Sequence, residues 1–521
     1  MFVLMNKKLI LGIFVFIIFC VGYKIGTIRA ADSNSISSYV EKFFTSDKKN
    51  ESIKLENQLA VLTMLIASKK EKEFRDKIRR ELKTEKMWHS TILSPNKYEK
   101  VKFFFKQDTL EGKVKLKGNT SQNADYPNLR IKLKSGNKFL GMDKFSIHLP
   151  FVKGYESEWF FHVFTSKFNL FPLKYGFINF GINNDDRRNL YAYEEHFSSQ
   201  LIKNAGFDDG IIICYEESDE ILWYNHNVQE NDQLRKDAYY VTDIKMYEKS
   251  KNLKNKKHKI MFLRAAHLLS EFRKGNLKVE DVFDVEKAST FFVICDLFGS
   301  PHPFEYRNAK FFYNSRTKLL EFIPYDLHGV TGEITPQDNY FNIGGMIGER
   351  YTDLPLANSF FMDTAFQRSY LEKVKYFSEL NLDVFFEKEI KELGEIQNLC
   401  SKYDTAHKGI DCMRIINSNK AYLKRKLSPF RSTNSYFDAE NKKLKIINIL
   451  DLPIEIIGFS KEGSKSKIDR IDTKIIYGVK NGTLPKELII DCDIKGNQFL
   501  CVKVLTSDSM SFDKINPYYF E

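Results

Sequence analysis

The sequence predicts an α+β fold with a membrane segment at its N-terminus and a small β-sandwich at its C-terminus, and three observations carry that expectation. Lys7-Lys8 precede an unbroken apolar run over residues 9–23, the pattern of a segment that meets a membrane. From about Tyr98 the chain shows short runs in which alternate residues are apolar, followed by segments with helical period, so strands come first and helices after. Beyond roughly Thr433 the helical period stops, and short strands separated by turn residues run to the end, in outline a sandwich. A chain of 521 residues exceeds what one core organises, and these shifts place boundaries at 1–30, 31–95, 96–430 and 431–521.

The apolar run spans 15 residues, short of the roughly 20 that cross the hydrocarbon of a bilayer. Residues 25–28 extend it if Lys24 snorkels to the interface. Ala30-Ala31, with Arg29 beside them, make a poor cleavage site. The expectation is an uncleaved, single-pass signal anchor in the cell membrane with the bulk of the chain outside the cytoplasm; a cleaved signal peptide is the alternative.

Residues 33–90 read as helical, with Leu59, Leu62, Leu65 and Ile66 at helix spacing ahead of a charged stretch through Lys86, a stalk or packing helix. Strands are expected at 101–105, 113–117, 129–134 and 145–148, a helix at 158–168, and strands at 176–182 and 190–196 joined through Asn183-Asn184-Asp185-Asp186. Hydrophilic stretches at 225–233 and 249–259 suggest an exposed insertion. Helices follow at 259–273 and 285–298, then a hairpin of 310–313 and 319–324 turned by Asn314-Ser315-Arg316. The tail offers strands at 443–449, 454–457, 474–478, 487–490 and 498–504.

Composition narrows the function classes. With 45 Phe and 26 Tyr, the chain is globular and must bury most of its rings. A net charge of +12 suits a polyanionic partner, although a Lys-rich composition produces it without any dedicated face. No basic run interleaved with aromatics and no zinc-finger spacing occurs, so no nucleic-acid partner is expected. Cys400 with Cys412 and Cys492 with Cys501 are spaced to close short loops in an oxidising compartment, with free buried thiols the equal alternative. No Cys-x-x-Cys pair exists, which leaves structural zinc unsupported.

Three stretches bear chemistry. Lys117-Gly118-Asn119-Thr120-Ser121 follows a strand, a turn at which backbone amides approach a phosphate and hydroxyls supplement them. In 129–134, Arg130, Lys132 and Lys134 share one face because strand side chains alternate. A kinase-type site needs a cation held by a strand against nucleotide phosphates and a carboxylate that positions it; the Tyr193-Glu194-Glu195-His196 stretch supplies a carboxylate at a strand end. Glu194 and Glu195 are adjacent, so they point to opposite faces and cannot flank one glycosidic bond. The longest stretch runs from Cys295-Asp296 through His302-Pro303-Phe304-Glu305-Tyr306-Arg307-Asn308 to Tyr325-Asp326-Leu327-His328-Gly329. A candidate base, an Asn a few residues on, and an Asp beyond a hairpin follow the order in which phosphoryl-transfer enzymes present base and metal ligands. Hard oxygen donors such as Asn308 and Asp326 suit Mg²⁺.

These motifs, together with Gly141-Met142-Asp143-Lys144-Phe145-Ser146, Glu158-Trp159-Phe160-Phe161-His162 and Leu190 to Phe197, occur in the order seen in the CotH kinase family, named for a spore-coat protein. The chain resembles that family over approximately residues 98–330, and looks most like its envelope branch. The resemblance implies an atypical protein-kinase-like domain that uses ATP with Mg²⁺ or Mn²⁺ to phosphorylate hydroxyls of an envelope or secreted protein. Carried over by position, Asn308 and Asp326 hold metal, Glu195 orients the phosphate-binding cation, and Arg130 or Lys132 is that cation, with Gly118, Asn119 and Ser121 beside the nucleotide. Two departures stand out. Tyr126 or Pro127 occupies the place of the family's usual Lys, and Pro303 stands where an Asp base is expected. His302 or Glu305 is the substitute base, with Asp296 a more remote third. A catalytically degenerate scaffold for surface proteins or glycans is the alternative reading.

Overall fold

Strand alternation closes a seven-stranded barrel at the start of the folded chain. The structure is a computed structural model that describes residues 59–83, 98–117, 125–183, 188–216, 238–327, 354–465, 467–478, 487–494 and 496–517. The expected anchor at 1–30, Gly118, Asn119, Ser121 and the insertion at 225–233 lie outside the described residues. Among the described residues no helix is long and apolar enough to cross a membrane.

The barrel elements are β1 (Ala60–Leu65), α1 (Ser68–Lys83), β2 (Glu99–Phe105), β3 (Asp108–Leu116), β4 (Leu129–Leu133), β5 (Lys144–His148), α2 (Glu156–Lys167), β6 (Tyr175–Ile182) and β7 (Asn189–Glu195). Strands run in the order β1-β2-β3-β4-β5-β7-β6, and β1 pairs with β6 in parallel, Leu62 opposite Phe180, to close the ring. Leu62, Phe103, Val114, Ile131, Phe145 and Ile147 fill the interior. Alternation then turns Lys113, Lys115, Arg130, Lys132 and Ser146 outward.

Here one expectation is corrected. The segment around Leu62 and Leu65 is the strand β1 and not part of a helix. Leu62 and Met64 point into the barrel at period two, and their pairing with β2 and β6 decides the matter. The helix-like spacing of four apolar residues is a coincidence that no local feature exposes. The charged stretch that follows is helical as expected, as α1.

A second sheet, ordered β11-β10-β8-β9, is built from β8 (Gly210–Tyr215), β9 (Ile244–Met246), β10 (Lys310–Asn314) and β11 (Leu320–Phe322). Around it lie α3 (Lys256–Arg273), α4 (Val285–Phe298), α5 (Thr364–Glu379), α6 (Glu387–Tyr403) and α7 (Cys412–Lys426). Helix α4 starts where the Asp284 carboxylate accepts the Lys287 N–H at 3.1 Å, and ends at Gly299, whose φ of 67° a side chain would resist. Between these caps it is apolar nearly all round, so it runs through the core. Phe160 and Phe164 of α2 pack there with Phe298 and Phe386, at ring separations of 5.9 Å and 4.4 Å respectively.

The tail comprises β12 (Thr433–Asp438), β13 (Lys443–Asn448), β14 (Ile454–Ser460), β15 (Asp469–Ile476), β16 (Glu487–Asp491), β17 (Phe499–Val504) and β18 (Met510–Pro517). The expected pair of sheets is joined into one order, β15-β14-β17-β18-β12-β13-β16. Strand β18 makes the join: residues 510–514 pair with β17, and Ile515 to Pro517 pair with β12. Leu444 and Ile446 from one half share an apolar core with Ile456 and Val502 from the other. Cys400, Cys412, Cys492 and Cys501 are all free thiols, so of the two alternatives for these pairs the unbridged one is found.

Candidate active site

The ends of β3 and β7 bring a lysine and a glutamate together. Both faces of β7 are covered: Leu190 and Ala192 face the helical core, while Tyr191 packs into the barrel. Glu194 lies on the Leu190–Ala192 face, where Lys117 Nζ stands 2.8 Å from its Oε2. A second lysine reaches the other oxygen, Lys153 Nζ lying 2.5 Å from Glu194 Oε1. Lys153 ends the short turn Pro150–Lys153, and Gly154 and Tyr155, at φ values of 73° and 55°, then reverse the chain into α2. That left-handed pair seats the Lys153 side chain inside, where it is 5% exposed.

Lys153 also reaches the segment after β11. Its ammonium lies 3.4 Å from Asp326 Oδ1 and 3.9 Å from the centre of the Tyr325 ring, a cation held by a carboxylate and a π face together. Asp326 has a φ of 60°, a left-handed conformation that Asp tolerates better than most residues. Glu158 of α2, completely buried, holds it there by accepting the Asp326 N–H at 3.1 Å and the Leu327 N–H at 2.8 Å. The other Asp326 oxygen faces His302 Nε2 at 3.7 Å, and Asn308 Nδ2 approaches the same nitrogen at 2.9 Å. His302 Nδ1 lies 3.1 Å from Glu305 Oε1, and Arg307 closes on Glu305 Oε2 at 2.7 Å.

The charges are set by these contacts. Burial alone would raise the Glu194 carboxyl, but Lys117 and Lys153 outweigh it and hold it well below the usual range. Burial pulls Lys117 down to about 8 against the pull of Glu194. For Lys153 burial is again opposed, and Asp326 with Glu194 keeps the ammonium firmly charged. His302 resists burial and is raised to about 9 by Asp326 and Glu305, while Glu305 falls to about 2 despite burial because His302 and Arg307 hold it. Asn308 Nδ2 also donates to the His302 carbonyl oxygen at 3.3 Å.

A family model described as CotH kinase protein matches residues 114–410, more than half of the chain. The chain belongs to the CotH kinase family. A comparison with curated proteins finds no match. The whole cluster of Lys117, Lys153, Glu194, His302, Asn308 and Asp326 falls within the matched residues, and the family description makes the activity of this region kinase-like.

Within this CotH kinase region, some expected residues meet and others do not. Asn308 and Asp326 converge on His302, and Glu305 joins them. Glu195 does not touch either lysine. It lies on the opposite face of β7, where Asn204 Nδ2 donates to its Oε1 at 2.5 Å, and burial raises its carboxyl to about 7. Glu194 is the residue that holds the cations. Arg130 lies on the same sheet surface as Glu194, two strands away through Ser146, but its guanidinium contacts His196. Lys132 is exposed. The cations beside the carboxylates are instead Lys117 and Lys153. Asp296 is fully buried in α4, hydrogen-bonded by Tyr370, and burial raises its carboxyl well above the usual range. It belongs to the helical core.

Lys153, Glu158 and Glu194 were not singled out by sequence reasoning, for different reasons. Period two separates Glu194 from Glu195 but does not choose between them, because apolar residues occupy both faces of β7. Glu158 opens a motif quoted above, yet its partners are backbone amides 168 and 169 residues away. Lys153 had only the adjacent Gly154 to mark it.

Among the described residues no group of three or more His, Cys, Asp or Glu side chains is arranged to hold a metal ion. A magnesium ion at a phosphoryl-transfer site needs fewer protein ligands, since phosphates and water complete its octahedron. The Asn308 amide and the Asp326 carboxylate, which both approach His302 Nε2, supply hard oxygen donors of the kind that requirement calls for.

Proposed function

We propose that the region is an atypical protein kinase that moves a phosphoryl group from ATP to a hydroxyl of an envelope or secreted protein, with Mg²⁺ or Mn²⁺ as cofactor. The observation that carries this reading is the bridge made by Lys153 between Glu194 and Asp326. A strand-end carboxylate fixing cations, next to an aspartate on a strained turn after a hairpin, is the layout that a kinase-like fold uses to place phosphates and metal.

The roles follow from position. Lys117 and Lys153, fixed by Glu194, offer ammonium groups to the nucleotide phosphates. Asn308 and Asp326 hold the divalent cation, which neutralises charge on the transferred group when bound. His302, protonated beside Asp326, contributes positive charge and an N–H donor. It is poorly suited to accept a proton, and a loose transition state asks little of a base at the start of transfer. The apolar run at 9–23 supports a place at the cell membrane with the site outside the cytoplasm.

Titration calorimetry with ATP and Mg²⁺ or Mn²⁺ tests the proposal. Metal-dependent heat that disappears in Asp326→Asn is expected; a folded protein that gives no heat with either metal would refute it. One observation favours the scaffold alternative, the buried Pro303 where an Asp base is expected. Labelling of a generic protein acceptor by the wild type above the Asp326→Asn background would exclude that alternative.

A further inference from the structure

The outer surface of the barrel carries lysines that pair with one another across the sheet. Lys100 of β2 lies opposite Lys113 of β3, Lys113 opposite Lys132 of β4, and Lys132 opposite Lys144 of β5. Neighbouring strands are about 4.8 Å apart, so four ammonium-bearing side chains root within about 15 Å. Like charges directly opposite each other destabilise a sheet. Relief is confined to the ends of the row: among the described residues, Glu248 faces Lys144, Lys70 and Lys134 at the margin reach Glu99 and Glu111, while Lys100, Lys113 and Lys132 make no ion pair and only Lys113 leans over a ring, that of Tyr98 at 4.9 Å. Burial, then Arg130, push the Lys144 ammonium down to about 8 against the pull of Glu248. The row is an arrangement that folding disfavours and an anion would stabilise.

A concave groove of about 710 Å³ runs along this row, lined by Lys100, Lys102, Lys113 and Lys132, with Glu111 and Leu65 among them. On the same face of the sheet Lys113, Lys115 and Lys117 follow at two-residue steps, and Lys117 ends at Glu194. Each step is about 7 Å, so four or five residues of extended peptide span the distance from groove to cluster.

We propose that this groove docks an acidic peptide segment whose acceptor hydroxyl lies about four to six residues along the chain; the acceptor part of the proposal rests on the kinase reading above. A peptide fits better than other polyanions. A flat bilayer does not enter a groove, and a phosphodiester polymer brings no apolar side chain to the partly exposed Leu65.

Fluorescence anisotropy of the full chain without nucleotide tests the docking. The probes are a labelled Ser-containing peptide with four Glu residues, the same peptide with Gln in their place, inorganic polyphosphate, and vesicles containing anionic lipid. The Glu peptide should bind at least about tenfold more tightly than the Gln peptide. Lys100→Glu with Lys113→Glu should remove that preference without lowering the melting temperature, while Lys461→Glu in the tail should not. Equal binding of the two peptides, an unchanged preference in the double variant, or stronger binding of polyphosphate or vesicles than of the Glu peptide would each overturn the proposal. Phosphate transfer that ignores acidic residues counts against the groove alone. Docking of the Glu peptide with no transfer from ATP counts against the kinase reading alone.

Discussion

Lys153 Nζ sits 2.5 Å from Glu194 Oε1 in a setting where both side chains are at most 6% exposed. Two ammonium groups and two carboxylates, contributed by Lys117, Lys153, Glu194 and Asp326, compensate one another there, the Lys153–Glu194 pair buried and Lys117 and Asp326 partly so. Glu194→Ala removes the carboxylate both lysines share, and a buried charge left without its partner costs about 3–5 kcal/mol. Urea denaturation should show that loss, with nucleotide-dependent heat absent even at temperatures where the variant is folded. A cost below about 1 kcal/mol would mean that the two lysines are hydrated rather than held.

Asp326 should separate charge from conformation. Its φ of 60° is tolerated by Asn and disfavoured for Ala. Asp326→Asn is expected to abolish phosphotransfer while keeping the turn pinned by Glu158, whereas Asp326→Ala should lose activity and, in addition, about 1 kcal/mol of stability. Paired thermal melts and phosphotransfer assays check this; equal stability of the two variants would remove the strain argument.

Glu195 gives the chain a pH-dependent weakness on the far face of the same strand. Its carboxyl is raised by burial to about 7 from an ordinary value of 4.5. The folded state therefore binds its proton more tightly than the unfolded chain does. That contribution to stability is complete below about pH 4.5 and is lost as pH rises through about 7. Glu195→Gln, which keeps an oxygen for Asn204, should match the wild type near pH 4 and exceed it near pH 8 by about 3 kcal/mol at most. Stability curves of the two proteins that run parallel from pH 5 to 8 would disprove the shift.

Much of the architecture was legible. Helix α4 lies over residues 285–298, as its sequence pattern predicts, and β2 to β7 follow the alternation of their side chains. The candidate ligands Asn308 and Asp326 do meet, through His302. Less legible was β1, whose four apolar residues fit a helix as well as a strand until β2 and β6 flank it. The substitutions of Glu194 for Glu195, and of Lys117 and Lys153 for Arg130 and Lys132, share one cause. Alternation tells which residues share a face, while burial on both sides of the sheet hides which face meets the cleft.

The sequence by itself determined the mixed α+β class, the ring-rich core, the kinase family and the order of the motifs along the chain, because periodicity, capping residues and motif order are local properties. Only the tertiary structure decided which carboxylate accepts the cations, that Lys153 is one of them, and that Glu158 holds the turn at Asp326. Those depend on strand register, on the reversal at Gly154 and on contacts between residues 41 to 169 positions apart, and long-range pairing energies are not encoded in any single stretch of chain.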